Sequence, residues 1–192
     1  MGPLKISEYK KSIKFEFVRA QMAQKKFMKL VEYKYSQLSQ NQNHKASTII
    51  KLQYFDTYAL WCGHVYEVIK ALAIIDQSLS IEEDSNASDF DSILQEEVEK
   101  LIATAVSKPG IIHPSLKPSF SSDLRTVRNK CSFHCTNKRV KTDILSKFMK
   151  QHHQEIYFVY DLLAKKNELF GIESLNDFGA IEEFYSINLS DE

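Results

Sequence analysis

The stretch from Arg128 to His134, RNKCSFH, puts a guanidinium, a carboxamide and an imidazole within one short run. An arginine stays charged at neutral pH and offers forked donors to phosphate or carboxylate oxygens. A histidine with an ordinary pKa near about 6.5 takes or gives a proton at the same pH. Together, Arg128 and His134 could stabilise developing negative charge and move protons without a metal. Each residue also has a plainer role: Arg128 as half of an ion pair, His134 as a core histidine, Asn129 as a helix cap. The surroundings are one-signed. From 125 to 141, Arg125, Arg128, Lys130, Lys138, Arg139 and Lys141 stand without an acidic residue. Such a block suits a polyanion, or pairs with acids elsewhere in the fold.

The elements that must hold these residues read as helices. Gly (5) and Pro (4) are scarce in 192 residues, which favours long helices over turn-rich strands. Phe15, Val18, Met22, Phe27, Leu30, Val31 and Tyr35 recur at helical spacing, so a first helix is expected over 7–38. A polar loop over 39–47 follows, in which Asn43 or Ser47 can cap the next helix. That helix, 49–78, carries so wide an apolar stripe, with Trp61 and Val65 added to Leu52, Phe55 and Cys62, that it should be central. The acidic, serine-rich run 80–89 reads as a loop and 89–107 as a third helix. The proline-rich 108–118 is a connector, and a fourth helix beginning near Ser119 or Ser121 carries the motif. Thr136, Asn137 and Lys138 break it, and a fifth helix spans 142–167. The expected fold is all-α, an up-and-down bundle of about five main helices over 1–171, with an acidic tail or short helix over 172–192.

On a regular α-helix of about 100° per residue, with Cys131 set at zero, Leu124, Val127 and Cys135 form an inward stripe within about 40°. Arg128 and His134 flank it at about +60° and −60°, and Asn129 and Phe133 look about 160° away. A phenylalanine on the outer face implies that the helix is covered on both sides, or that its last turn leaves α geometry.

LRTVRNKCSFH, in a helical domain of this size, resembles the signature of the HEPN superfamily, an Arg-x(4–6)-His motif often with a polar residue after the arginine. Arg128 and His134 enclose five residues, and Asn129 is the polar neighbour. The resemblance implies a metal-independent endoribonuclease of toxin or phage-defence type, acting as a homodimer with two motif helices at one cleft and using no cofactor. It gives His134 the general acid or base role, Arg128 the stabilisation of the phosphorane, and Asn129 the orientation of Arg128 or of the scissile phosphate. Arg125, Lys130, Lys138 and Arg139 would bind flanking RNA phosphates, with salt-sensitive affinity. A supporting carboxylate is expected from the second helix, with Asp56 and Glu67 as candidates. One departure concerns regulation. Where some family toxins carry a tyrosine modified by a partner antitoxin, this chain has Thr136, so control through that residue is not implied and any antitoxin is open.

Other readings compete. A binding-only module of the same fold would keep the helices without the chemistry. The basic first helix could serve a plain interaction protein. Cys131, His134 and Cys135, with Cys62 and His64, invite a metal reading, but no Cys-x-x-Cys pair is present and the two side chains of the Cys62-Gly63-His64 run point about 160° apart on a helix. Buried free thiols suit them better. The start of the sequence carries no secretory signal and no run of about 18 apolar residues stands out, so a cytoplasmic location without a membrane is the expectation. Gly-rich phosphate loops, nucleophile elbows and zinc-protease motifs are missing from the sequence.

Overall fold

A computed structural model describes residues 3–40, 46–76, 87–106, 114–132 and 142–168. Among these the chain forms five α-helices: α1 (Pro3–Gln40), α2 (Thr48–Asp76), α3 (Ala87–Val106), α4 (Phe120–Val127) and α5 (Thr142–Glu168). A π-helical turn, Arg128–Ser132, continues α4, and no strand occurs among the described residues. The all-α bundle is the architecture that helical periodicity and few chain-breakers dictate. The tail from 172 onward and most of the acidic run 80–89 lie outside the described residues, as does Asn43.

Side-chain pairings fix the helix directions. Glu16 meets His64, and Lys34 lies over Tyr54, so α1 and α2 run antiparallel. Tyr58 meets His153 and Asp76 meets Lys166, so α5 runs parallel to α2. Its central place follows from composition: buried residues occur all round α2, from Thr57 through Ile74, and it touches every other element. Trp61 sits at the middle of an aromatic cluster with Phe27, Tyr58, Tyr157 and Tyr160. By length and composition α2 could also cross a membrane, contrary to the expectation that no such run stands out. The tyrosines, cysteine and tryptophan hide its apolar character from a simple count, and 78% of its most apolar window is buried inside the bundle.

Local signals at the helix starts are partly realised. The Ser47 hydroxyl accepts the Ile50 N–H at 3.3 Å and caps α2. Ser119 precedes α4 but gives no side-chain cap, because its own backbone is already helical (φ −85°, ψ −3°) and not extended as a capping residue requires. The Ser119 carbonyl instead accepts the Asp123 N–H at 2.9 Å. Other side chains hold the start of α4. Gln95 Oε1 on α3 accepts the Ser121 hydroxyl at 3.0 Å, and its amide donates to the Lys117 carbonyl at 3.3 Å. Lys117 N–H donates to Glu155 Oε1 at 2.7 Å, tying the connector to α5.

Glu97 on α3 is 1% exposed and lies 3.7 Å from Lys166 Nζ, while its Oε2 makes no hydrogen bond among the described residues. Burial, and then the charge of Asp76, push its carboxyl pKa up. A carboxyl raised in the folded state favours folding fully below its unfolded pKa and loses that contribution as pH rises through the folded value. Glu97→Gln should therefore be more stable than the parent at pH 7 by on the order of 1 kcal/mol. The difference should vanish toward pH 4, which urea unfolding at both pH values measures.

Candidate active site

The π-turn carries the first half of the motif. A π-turn replaces i→i+4 hydrogen bonds by i→i+5, so residues five apart come over one another. The last turn thus leaves α geometry, the second of the two options raised by Phe133. Phe133 itself, with His134, Cys135, Lys138 and Arg139, lies outside the described residues.

Arg128 is the first residue of that turn and its guanidinium is held on two sides. Nε donates to Glu67 Oε1 at 2.7 Å and Nη1 donates to Asn129 Oδ1 at 2.9 Å. The plane stands 6.0 Å from the Tyr66 ring centroid, within reach of a cation–π contact. Arg128 and Glu67 keep 29% and 23% of their side chains exposed, so the pair is partly buried with access to solvent. Glu67 is therefore the carboxylate that meets Arg128. Asp56 stands eleven positions earlier on α2, about 16 Å away along the axis. Asn129 accepts from Arg128, the orienting contact of its two expected roles. Burial, and then the charge of Glu67, push the Tyr66 hydroxyl up to about 12, so it stays a neutral platform under the cation.

Arg125, expected to hold a flanking phosphate, is committed elsewhere. Its Nε and Nη2 donate to Asp91 Oδ1 and Oδ2 at 2.7 and 2.8 Å, a forked pair that clamps α4 to α3. A double-mutant cycle with Arg125→Ala and Asp91→Ala should give a coupling energy on the order of 1 kcal/mol in urea unfolding. Lys130 is half-buried on the π-turn. Cys62 and Cys131 are buried thiols, and burial, then the neighbouring Cys131, push the Cys62 pKa well up.

His64, weighed above only as a metal ligand, makes a second polar pair on α2. His64 lies three residues before Glu67 on α2, where side chains at i and i+3 are neighbours about 5–6 Å apart. Its Nδ1 is 2.6 Å from Glu16 Oε2 on α1, and Glu16 Oε1 accepts from Arg19 at 3.4 Å. Burial works against the Glu16 carboxylate, but the hydrogen bond and charge of His64, helped by Arg19, outweigh it and hold its pKa below the ordinary value.

No protein-family model, curated protein or solved structure matches this chain. The fold is an all-α helical bundle, and any activity must be argued from the cluster of Arg128, Glu67, Asn129 and Tyr66.

Proposed function

We propose that the chain is a metal-independent endoribonuclease of HEPN type, acting as a toxin or defence effector. The observation that carries this reading is the anchoring of Arg128 by Glu67 and Asn129 in a π-turn, which fixes a guanidinium with access to solvent at the head of the Arg128–His134 motif. A cation used to stabilise a transition state has to be oriented beforehand, and fixed donors are worth more than mobile ones. RNA supplies its own nucleophile, the 2′-hydroxyl. The protein then has to move protons, through His134, and stabilise the pentavalent phosphorane, through Arg128. With the motif of a second copy across a two-fold axis, two guanidiniums and two imidazoles serve one phosphate. Lys130, Lys138 and Arg139 supply the salt-sensitive contacts to neighbouring phosphates.

Cleavage of bulk cellular RNA by the purified protein in the presence of a metal chelator tests the proposal. Discrete fragments, weakened by raised salt and lost in Arg128→Ala, are the expected result. RNA that stays intact at stoichiometric protein, while the protein still retards RNA on a gel, would instead leave a binding module.

A further inference from the structure

We propose that residues 169–192, the acidic segment that follows α5, dock in an apolar groove between the end of α1 and the start of α2. This docking goes beyond the ribonuclease reading and does not depend on it. Between Phe27 on α1 and Thr57 on α2 no described residue is buried, although the stretch is rich in large apolar side chains. Of the exposed large hydrophobic residues among those described, all but Met22 lie here, and Tyr35, Ile49 and Leu52 are each more than half exposed. Exposed apolar side chains gathered in this way mark an interaction surface. The two helices enclose a groove of about 410 Å³, lined by Leu30, Leu38, Ile50 and Tyr54 together with the exposed Lys34 and Lys51.

Charge selects the occupant. Over 25–40 and 46–54, Lys25, Lys26, Lys29, Lys34 and Lys51 stand against one acid, Glu32. A second copy packed here would set like charges against each other, whereas an acidic segment complements them. Lys34 Nζ stands 5.5 Å over the Tyr54 ring, and among the described residues neither Lys34 nor Lys51 has a carboxylate partner. Residues 169–192 hold Glu173, Asp177, Glu182, Glu183, Asp191 and Glu192 and no lysine or arginine. Within them Phe178, Ile181 and Phe184 recur at every third residue, with Glu182 and Glu183 between the last two. Apolar anchors at that spacing are what a segment laid into a hydrophobic groove as a helix presents.

The lengths agree. Lys166 meets Asp76, so the end of α5 stands beside the end of α2. Tyr54 and Ile50 lie about 33 and 39 Å back along α2 at about 1.5 Å per residue. Residues 169–181 span up to about 43 Å when extended, so Ile181 reaches the groove and Glu183 and Phe184 follow it in. The acidic run before α3 cannot do the same. It leaves α2 at Asp76 and enters α3 at Ala87, where Phe90 meets Lys70, and about ten residues do not cover the way out and back.

Tethering gives the segment an effective concentration of about a millimolar, so a contact too weak for a free peptide still holds. The test uses the full chain with the photoreactive residue benzoylphenylalanine in place of Ile50. After irradiation, peptide mass spectrometry should find that position joined to residues between 176 and 189, in a covalent product of monomer mass. Reversing both lysines, Lys34→Glu with Lys51→Glu, should lower the yield at least about fivefold. Adding Glu182→Lys with Glu183→Lys should restore it to within about twofold of the parent. Both lysines are exposed, so the reversal leaves the core untouched. Cross-links that include no residue of 169–192 would overturn the docking. A product of twice the mass would overturn it as well, giving the groove to a second copy. So would a yield that the charge reversal leaves unchanged.

Discussion

Arg128→Ala should abolish RNA cleavage, with kcat/KM falling by about a hundredfold to ten-thousandfold and the fold intact. The size of the effect follows from how the guanidinium is held. Two acceptors, Glu67 and Asn129, and the Tyr66 face fix it before any substrate arrives. None of that reorganisation has to occur during the reaction. The ion pair is partly exposed, so its loss should cost only about 1 kcal/mol of stability or less. Activity and stability therefore separate, and the pair of measurements is diagnostic. Arg128→Lys keeps the charge but not the fork, and should lose at least about tenfold. Glu67→Gln removes one anchor and leaves Asn129 in place, so its loss should be smaller than that of Arg128→Ala. Kinetics on a labelled oligonucleotide, with thermal melts of each variant, read all three. Arg128→Ala cleaving at the parent rate would remove arginine from the mechanism.

His152→Ala should cost about 3–5 kcal/mol in urea unfolding, a large part of the stability of a domain this size. His152 is fully buried on α5 and both ring nitrogens meet carboxylates: Nδ1 is hydrogen-bonded with Glu155 Oε2, and Nε2 lies 3.0 Å from Asp123 Oδ2. Phe120 and Phe148 pack against the ring at 5.7 and 5.1 Å between centroids. Removing the ring leaves the Glu155 carboxylate, 3% exposed, with its Oε2 stripped of the His152 contact while Oε1 keeps the Lys117 N–H. Replacing His152 and Glu155 together by leucine should be less damaging than His152→Ala, because no orphaned charge remains. The consequence reaches the proposed site. Asp123 and Lys117 hold the start of α4, and α4 leads directly into the π-turn, so His152→Ala should also lower cleavage before global unfolding. A loss below about 1 kcal/mol would mean that this network is only decorative.

Much of the bundle was legible because periodicity and chain-breakers are local. Trp61, Val65 and the wide stripe of α2 announced a central helix, and of the two cap candidates, Asn43 and Ser47, Ser47 receives the Ile50 N–H. Of the candidate site, the sequence marked Arg128 and Asn129, where chemistry and spacing coincide, and the structure brings these two into contact. The choice between Asp56 and Glu67 could not be read from one strand of sequence. Both lie on α2, and which one meets Arg128 depends on the register of α4 against it. The π-turn left a trace, since Phe133 fell on the wrong face of an ideal helix, but its position did not. The His152 network left none. QHHQE in the middle of a helix reads as a polar face until Asp123 and the Lys117 connector are placed against it. Arg125 misled for the same reason: its basic neighbourhood suggested phosphate, whereas Asp91, far away in sequence, takes both arms of the fork.

The chemistry of the fragment ends tests the central claim most directly. RNA cut by the purified protein in chelator should carry 2′,3′-cyclic phosphate (or the 3′-phosphate it opens to) on one side and 5′-hydroxyl on the other, because the 2′-oxygen is the nucleophile. Fragments bearing 5′-phosphate and 3′-hydroxyl, or cleavage that appears only with a divalent metal, would contradict it.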